Sequence, residues 1–402
     1  MAVETRRDAT SSAGGVSRTL LFVLAVAGAL TVANLYYSQP LLDRMRGSLG
    51  VSQHSIGVVA MMTQLGYGLG MLFVVPLGDR SERRRLIVWM TSLSAIALIG
   101  VAASPSFSVL VVASLALGIA SSVPQLIVPF AASLAPANVR GRVVGTVMSG
   151  LLIGILLSRT IAGVVGGRLG WRAMYVIGAA LMVVLAVVLR AALPRQEAER
   201  KIPYGELLRS LVSLVRDEPI LRRHALLGGL GFAAFSVFWT TLSFHLASLP
   251  PHYGSEVVGA FGIIGVVGAL AAPLVGRFAD RFSPRAINGG ALFVVLLSFI
   301  VFAVAPASLV MLGLGVVLLD LGVQSNHIAN QTRIFGLDAA RRNRLNTVYM
   351  TTYFAGGALG SWLSSVVYER AGWTGVGVLG GSIAALALPV LALQPKAAPG
   401  RP

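Results

Sequence analysis

The segment 76-PLGDRSERRR-85 returns in altered form as 276-GRFADRFSPR-285. A shift of 201 residues superposes the dipeptide Asp79-Arg80 on Asp280-Arg281. Each copy is a short charged stretch that follows a long apolar run and precedes another. A charged loop repeated in the same setting indicates that the chain is built from two related halves.

A second pair of matches supports this repeat. A shift of 202 superposes Gly170-Trp171 on Gly372-Trp373, and Arg142 on Arg344. Two matched anchors on equivalent loops make coincidence a poor explanation. Duplicated six-helix units are a sequence feature of secondary transporters, whose substrate site lies near the membrane midplane between the repeats. This repeat is the strongest functional indication in the sequence.

Composition excludes an ordinary soluble protein. Of 402 residues, 55% are hydrophobic and 12% are charged, whereas about 25% are charged in typical soluble domains. The mean hydropathy is +0.80. The chain has no cysteine, which excludes disulfides, thiol catalysis and cysteine-ligated metal sites. It also lacks the GxxxxGK[ST] loop of the P-loop nucleotide hydrolases.

Twelve apolar runs are long enough to cross a bilayer, which takes about 20 residues. We number them as spans one to twelve, and we expect the first to be an uncleaved anchor. They cover residues 19–42, 55–77, 86–104, 107–132, 143–165, 173–192, 224–248, 257–276, 286–305, 308–331, 345–367 and 375–393.

The spans predict five regions. These are a cytoplasmic tail (1–18), a six-helix bundle (19–192), a cytoplasmic linker (193–223), a second six-helix bundle (224–393) and a short tail (394–402). Apolar side chains at helical spacing in the linker predict an amphipathic helix along the membrane surface. They are Leu207, Leu208, Leu211, Leu214 and Val215.

Basic residues predict the orientation. One set of loops and tails carries 26 of the 32 Lys and Arg residues, and the other set carries five. Because basic loops stay in the cytoplasm, we expect both termini there, in a multi-pass protein of the bacterial inner membrane. The net charge of +17 then reflects topology and contact with anionic lipid headgroups, so we expect no nucleic-acid partner.

The repeated loops resemble the G-x-x-x-D-R-x-G-R-R loop of the major facilitator superfamily. The first copy has Val75 in place of the leading glycine and Glu82 in place of the internal one. The resemblance implies an all-α membrane fold of twelve helices in two pseudo-symmetric six-helix bundles. It also implies that these loops hold the cytoplasmic side shut, whereas the alternative is that they only solvate tight turns. The gating candidates are Asp79, Arg80, Arg83, Arg84, Gly276, Asp280, Arg281, Arg142 and Arg344.

Two further segments look like bacterial efflux-type members of that superfamily. They are 34-NLYYSQP-40, at the end of span one, and 320-DLGVQSNH-327, in span ten. Drug–proton antiporters usually carry G-x-x-x-G-P-x-x-G-G in span five. This chain keeps Gly150 and Gly154 of that signature but has Ile155 in place of the proline, which argues against multidrug efflux in particular.

Ionised side chains inside spans are rare and usually functional. Asp320 lies in span ten, with Gln324, His327 and Gln331 on the same helix face, and Arg159 lies in span five. The resemblance implies that spans one, four, seven and ten line the cavity and that span five lies near span ten. Arg159 could then neutralise Asp320, although the span bounds place them about 10 Å apart in depth.

A buried carboxylate beside a cation and a histidine can exchange a proton, so we predict that Asp320 couples transport to protons. The alternative is a static ion pair that fixes helix packing. Softer candidates for lining a cavity, which could equally be packing or interface residues, suit an amphipathic organic solute better than a bare ion. They are Asn326, beside the span-ten stripe, and Asn34, Tyr37, Gln125, Phe235, Trp239 and His245.

The sequence therefore predicts a monomeric carrier without a cofactor or metal, which exports a small organic solute against inward proton flow. A proton-coupled importer or a facilitator on the same fold is the alternative. A membrane-embedded enzyme is disfavoured, because the sequence has no HExxH or GxSxG motif and has one carboxylate at depth. A receptor without transport activity is a third class, distinguished by the absence of solute flux.

Overall fold

The computed structural model describes residues 16–197, 203–279, 283–338 and 341–392. All regular elements in these ranges are helices. The first half of the chain contains eight α-helices: α1 Arg18–Ala33, α2 Leu42–Leu49, α3 Gln53–Phe73, α4 Arg83–Ala102, α5 Phe107–Ala120, α6 Pro124–Leu134, α7 Arg140–Leu169 and α8 Trp171–Ala192.

The remainder contains six: α9 Tyr204–Asp217, α10 Pro219–Ser248, α11 Ser255–Ala279, α12 Pro284–Val304, α13 Leu309–Phe335 and α14 Arg342–Ala392. Helix α14 bends at Gly372, whose φ of 58° lies in the left-handed region that favours glycine. The bend divides α14 into a first arm, 342–371, and a second arm, 373–392.

The helices follow the twelve predicted spans in order. Within the described ranges, nine helical segments are long and apolar enough to cross a membrane, and the bent α14 is one of them. Helices α5 and α6 together form one such segment, Phe107–Leu134. Shorter apolar helices, Arg18–Ala33 and Ser255–Gly268, occupy the positions of spans one and eight. Counting the two arms of α14 separately accounts for all twelve predicted spans.

Several helices are preceded by a serine whose side chain caps the first turn, as is typical of N-cap residues. The Ser17, Ser52, Ser283 and Ser308 hydroxyls each accept a backbone N–H in the first turn of the helix that follows. The Glu82 carboxylate caps α4 by accepting from the N–H groups of residues 84 and 85. The charged segment 79–82 thus lies between the helical turn at 75–79 and α4, and it supplies the N-cap of α4.

Glycines set equivalent helix contacts in the two halves. A β-carbon on Gly154 would lie 2.2 Å from the carbonyl oxygen of Ala29, so α7 packs directly on the α1 backbone. A β-carbon on Gly360 would lie 2.3 Å from the carbonyl oxygen of Ala233, so the first arm of α14 packs in the same way on α10. Gly356, which the 202-residue shift matches to Gly154, makes the same kind of contact, because its β-carbon would lie 2.2 Å from the carbonyl oxygen of Gly229.

The halves meet along two helix pairs, α3 with the first arm of α14, and α7 with α11. In each pair a glycine allows close approach. A β-carbon on Gly57 would collide with the side chain of Ser365, and one on Gly163 would lie 2.9 Å from the Cα of Gly259. Because both pairs join the halves in the same way, the repeat in the sequence is a repeat in the packing.

The two ends of the helix bundle differ in charge, and we call the arginine-rich end the basic end. The basic end carries the starts of α4, α7 and α14, and the opposite end carries α2 and the starts of α3, α8 and α11. The linker helix α9 contacts α10, α14 and the turn at 75–79 at the basic end. Its Leu207, Leu211 and Leu214 are buried, whereas Val215 is 41% exposed.

Candidate functional site

Arg159 is enclosed by aromatic rings at the centre of the bundle. Its side chain is 1% exposed, and its Nε donates a 2.7 Å hydrogen bond to Gln39 Oε1. The guanidinium carbon lies 4.1 Å from the ring centre of Trp239, 4.6 Å from Tyr36 and 5.3 Å from Phe235. Ring faces stabilise a cation in this geometry, but they accept no conventional hydrogen bond from it.

Asp320 lies at a similar depth. It is eleven residues after the start of α13 at Leu309, and Arg159 is ten residues before the end of α7 at Leu169. At 1.5 Å per residue these positions are roughly 17 and 15 Å from the opposite end. The sequence estimate of a 10 Å difference was too large, because α7 continues beyond its predicted end. Asp320 is 2% exposed and interacts electrostatically with Arg159.

Helix α11 lies against both charged residues. A β-carbon on Gly262 would lie 3.0 Å from the Arg159 Cβ, and one on Gly265 would lie 3.1 Å from Asp320 Oδ2. Positions three residues apart are neighbours on a helix surface. Glycines at both positions therefore let α7 and α13 approach the same side of α11, which brings the two charges into one region.

Three buried polar atoms in this region have no hydrogen-bond partner among the described residues. They are Arg159 Nη2, Trp239 Nε1 and Asp320 Oδ2. No ion pair within 4.0 Å joins the described side chains of Arg159 and Asp320. Buried polar atoms are nearly always paired, and each exception requires an explanation. Two unpaired donors and one unpaired acceptor therefore mark this region, which we call the central site.

The polar stripe on α13 extends from the central site toward the basic end. Gln324, His327 and Gln331 are partly exposed, unlike Asp320. The His327 Nδ1 lies 2.9 Å from the Tyr349 hydroxyl, and the His327 ring lies 4.8 Å from the ring of Tyr353. The predicted common face of these residues is present, and it contacts the first arm of α14.

Gln125 connects this stripe to the other half of the chain. Gln331 donates to Asn346 Oδ1 at 3.4 Å, and Asn346 donates to Gln125 Oε1 at 3.4 Å. Gln125 in turn donates to the Tyr67 hydroxyl at 3.1 Å. These amides form a chain from α13 through α14 to α6 and α3. Asn346 was missed in the sequence because it lies close to a predicted span end, among charged residues.

Gln64 forms a second connection between halves. Its Nε2 donates to Ser361 Oγ at 2.8 Å, and its Oε1 accepts from Ser236 Oγ at 3.2 Å. Thr240 also donates to Ser361 Oγ, at 2.9 Å. These contacts join α3, α10 and the first arm of α14. The serine and threonine side chains were not predicted from the sequence, because small polar residues are common within spans.

Asn326 occupies a different surface of α13. Its Nδ2 donates to the Leu227 carbonyl at 3.1 Å, and its Oδ1 accepts from Asn330 at 3.1 Å. Asn330 also contacts His224 Nδ1 at 2.7 Å and accepts from Asn288 at 3.0 Å. This network ties α13 to α10 and α12, so the contacts of Asn326 are those of a helix-packing residue.

Three other candidates pack away from Arg159. Asn34 donates to the Met182 sulfur at 3.5 Å, and Tyr37 makes an edge-to-face contact with Tyr175. His245 stacks on Trp373 with ring centres 3.9 Å apart, and its Nε2 lies 2.7 Å from the Pro306 carbonyl oxygen. Of the predicted aromatic residues, Phe235 and Trp239 are therefore those that reach Arg159.

The structure adds residues that the sequence did not single out. Gln39 bonds Arg159 directly, and Tyr36 covers its guanidinium. Phe232 stacks on Phe235 and, with ring centres 4.1 Å apart, on Tyr353. The segment 34–40 was noted for its family resemblance, and its polar end was the signal for Gln39. Nothing in the spacing distinguished Phe232 from a packing residue.

The charged loop at the basic end holds two helix ends together. Arg83 Nη2 lies 3.8 Å from Asp79 Oδ1. Arg83 also donates to the Gly78 carbonyl and to Ser133 Oγ, each at 3.3 Å, which links α4 to the end of α6. Arg84 donates to the Arg190 carbonyl at the end of α8.

The remaining gating candidates give less information. Arg80 and Arg142 are exposed, and Arg344 is partly exposed. Gly276 lies within α11. Asp280 and Arg281, the second copy of the dipeptide, lie outside the described residues. No group of three or more metal-ligating side chains occurs in the part of the chain that the structure describes.

At the opposite end, one carboxylate joins the halves. Glu369, at the end of the first arm of α14, accepts a 2.9 Å hydrogen bond from the His54 backbone N–H through Oε2. Ser52 Oγ lies 3.3 Å from the same oxygen. Because His54 is in the first turn of α3, the Glu369 carboxylate also faces the positive end of that helix dipole.

Comparison with known proteins gives consistent matches. The family model of the Major Facilitator Superfamily matches residues 24–337. The "Uncharacterized transporter YgaY" of Escherichia coli O157:H7 is 43% identical over 369 residues, which cover 92% of this chain and 94% of the relative. The "Probable transporter SCO4007" of Streptomyces coelicolor is 34% identical over 384 residues, which cover 95% and 89%.

More distant matches extend the comparison. A "Probable sugar efflux transporter" of Helicobacter acinonychis is 23% identical over 381 residues, covering 92% of this chain and 93% of the relative. The crystal structure of the nucleoside transporter NupG superposes with a TM-score of 0.76 at 16% identity, covering 93% of this chain and 99% of that chain. This structural likeness concerns the fold alone.

Proposed function

Because the chain belongs to the Major Facilitator Superfamily, we propose that it is a secondary active transporter that moves a small organic solute by alternating access. In this mechanism two six-helix bundles, 19–192 and 224–393, rock about a site between them. The observation that supports it best is the central site, where Arg159 from the first half and Asp320 and Trp239 from the second half are buried together.

The helix contacts between halves suit such a motion. Both interface pairs, α3 with α14 and α7 with α11, pack through glycine and serine, and small side chains interlock less than large ones. The polar bridges at Gln64 and Gln125 are hydrogen bonds that a rocking motion could exchange. Because Arg159 is on α7, movement of α7 against α11 would change the surroundings of the central site.

We propose that Asp320 carries the coupling proton. A carboxylate with an unpaired Oδ2 can gain a proton without breaking a protein hydrogen bond. Arg159 on α7 interacts with Asp320 electrostatically, and Asp320 in turn acts on the hydroxyls of Tyr36 and Tyr353. His327 lies two helical turns along α13 toward the basic end, on a path by which a proton could leave.

The proposed direction of transport is export, by exchange of solute for an inward-moving proton. The similarity to proteins named sugar efflux transporters and the efflux-type segments 34–40 and 320–327 support this direction. The second candidate is proton-coupled import or facilitated diffusion on the same fold. All of these modes place the site at the same residues. In export the solute and the proton occupy the site in turn, in proton-coupled import they occupy it together, and a facilitator requires no proton.

The proposed setting is a bacterial inner membrane with both termini in the cytoplasm. The nine apolar segments and the multi-pass fold support a membrane location. The basic end would then be the cytoplasmic end, where its arginines meet anionic lipid headgroups. No catalytic role is proposed, because the superfamily is one of transporters.

The test is reconstitution into proteoliposomes after a comparison of the solutes retained by cells with and without the protein. Solutes retained in its absence would be loaded into vesicles, and their efflux would be measured with an imposed inward proton gradient. With equal solute concentrations inside and outside, export predicts net efflux that an ionophore abolishes. Efflux that follows only the solute gradient would indicate a facilitator, and absence of flux for every solute would contradict the proposed function.

A further inference from the structure

The two buried charges of the central site lack direct counter-ions. Arg159 is 1% exposed and Asp320 is 2% exposed, yet no ion pair joins these two described residues. Arg159 donates one hydrogen bond to a neutral acceptor, from its Nε to Gln39 Oε1, and its guanidinium lies near three aromatic rings. A buried charge is costly unless it is paired and hydrogen-bonded, so a site of this kind favours a ligand that supplies what is missing.

The unpaired atoms define what a ligand must offer. Arg159 Nη2 and Trp239 Nε1 are both donors, and they come from side chains in direct contact, with the guanidinium carbon 4.1 Å from the indole ring. A carboxylate has two oxygens that can accept from two such donors, and its bond to a guanidinium is charge-assisted. Asp320 Oδ2 is an acceptor and requires a donor, ideally a cationic one.

Resting on the transport function proposed above, we infer that the solute is a zwitterion of the amino-acid type. Its carboxylate binds Arg159 Nη2 and Trp239 Nε1, and its ammonium group binds Asp320 Oδ2. Such a solute matches both buried charges and leaves the net charge of the site unchanged. The adjoining rings of Phe235 and Phe232, stacked with centres 5.4 Å apart, offer an apolar surface for the rest of the molecule.

A polyol is the main alternative, since hydroxyls also donate and accept. Hydroxyl groups would satisfy the three unpaired atoms but would leave the Arg159 and Asp320 charges without counter-ions. The zwitterion is therefore the better match on charge. It also explains how a proton exchanges for solute, because a proton on Asp320 removes the negative charge that holds the ammonium group.

The test uses purified full-length protein in lipid nanodiscs and a panel of L-α-amino acids and dipeptides. Binding would be measured by displacement of a radiolabelled hit. For each hit, the des-amino acid, the carboxamide and mannitol serve as comparators. We expect the zwitterion to bind at least about tenfold more tightly than either singly charged analogue, which corresponds to about 1.4 kcal/mol, and mannitol not to compete.

Variants assign each charge to one end of the solute. Asp320→Asn should abolish the preference for the zwitterion over its des-amino analogue, and Arg159→Gln should abolish its preference over the carboxamide. Arg172→Gln is the matched control, because Arg172 also lies over a tryptophan, Trp171, at 4.2 Å, but at the opposite end. Size-exclusion elution and thermal melting verify that the Arg159→Gln variant is folded.

Other outcomes distinguish this inference from the proposed function. If vesicles transport mannitol or another uncharged solute, or if each singly charged analogue binds as tightly as the zwitterion, transport stands and the zwitterion inference is overturned. The same conclusion follows if the solute identified by the cell comparison lacks either charged group. If no solute moves at all, the transport function itself fails.

Discussion

Glu369 and His54 belong to different halves of the chain, and the Glu369 carboxylate accepts a 2.9 Å hydrogen bond from the His54 backbone N–H. Glu369 ends the first arm of α14, and His54 lies in the first turn of α3. A side chain from one half thus caps a helix of the other. If the halves separate at the opposite end, this bond must break, so it stabilises the arrangement seen in the structure.

We therefore predict that Glu369→Gln favours opening at the opposite end. The amide oxygen accepts more weakly than a carboxylate, and the charge–dipole interaction is lost, which is worth about 0.3–1 kcal/mol. The chain has no cysteine, so single cysteines at positions 47 and 254 can carry spin labels, and the distance between them reports opening. Asp43→Asn is the control, because Asp43 pairs with Arg46 inside one half. Unchanged distances in the Gln variant would contradict this role.

Replacing Asp79 is predicted to weaken the contacts that hold the helices together at the basic end. Asp79→Asn removes its ion pair with Arg83, which lies 3.8 Å away, and should loosen the loop that connects α3 to α4. We expect slower transport at an unchanged amount of protein in the membrane. Arg46→Gln, which breaks an ion pair at the other end of the bundle, is the comparison. Full transport by Asp79→Asn would contradict a gating role and would indicate that the loop is only a solvated turn.

Much of the fold followed from the sequence, because the bilayer restricts the possibilities. Apolar runs near 20 residues and repeated loop anchors sufficed to predict twelve helices in two related bundles, and the fold and the family match confirm that prediction. The helix bounds were less accurate. For example, α7 continues to Leu169 because nothing before Gly170 ends a helix, and the depth of Arg159 was misjudged as a result.

The site was only partly predictable. Asp320, Arg159 and Trp239 stood out as charged or aromatic residues at depth, and the structure brings them together. Asn326 and His245 stood out for the same reason, yet they make helix-packing contacts. Polarity at depth shows that a side chain needs a partner, but which partner it finds depends on helix rotation. A single sequence does not determine that rotation.

Proton coupling gives a direct prediction for Asp320. Asp320→Asn keeps the size and polarity of the side chain but cannot exchange a proton at neutral pH. We expect concentrative, proton-driven flux in vesicles to fall by about tenfold or more, equivalent to at least about 1.4 kcal/mol. Because Asp320 also binds the solute in the inference above, exchange of labelled for unlabelled solute is measured at equal and saturating concentrations on both sides, and there it should continue. The exchange measurement is the internal control for folding, and intact proton-driven flux in this variant would remove the coupling role.

Gln39 is predicted to matter through Arg159. Gln39→Leu leaves the buried Nε of Arg159 without its 2.7 Å partner, and an unpaired buried donor costs about 1–3 kcal/mol. We expect solute affinity to fall roughly 5- to 150-fold, and Gln39→Glu to retain Arg159 in place while altering selectivity through its added charge. Gln53, which is partly exposed at the start of α3, provides a control glutamine. Equal affinity in Gln39→Leu and Gln53→Leu would show that Arg159 does not depend on this bond.

Glycine packing between α1 and α7 gives a final prediction, about stability. A side chain on Gly154 would meet the Ala29 backbone at 2.2 Å, whereas one on Gly145, in the same helix, would meet nothing within 4 Å. Because backbone atoms cannot move aside as a flexible side chain can, Gly154→Leu should destabilise the protein by about 1–3 kcal/mol or more. Gly145→Leu should have little effect, since the new side chain is exposed. Melting in detergent, followed by the intrinsic tryptophan fluorescence, measures both variants. Equal melting temperatures would mean that α7 does not pack on α1 as closely as the structure places it.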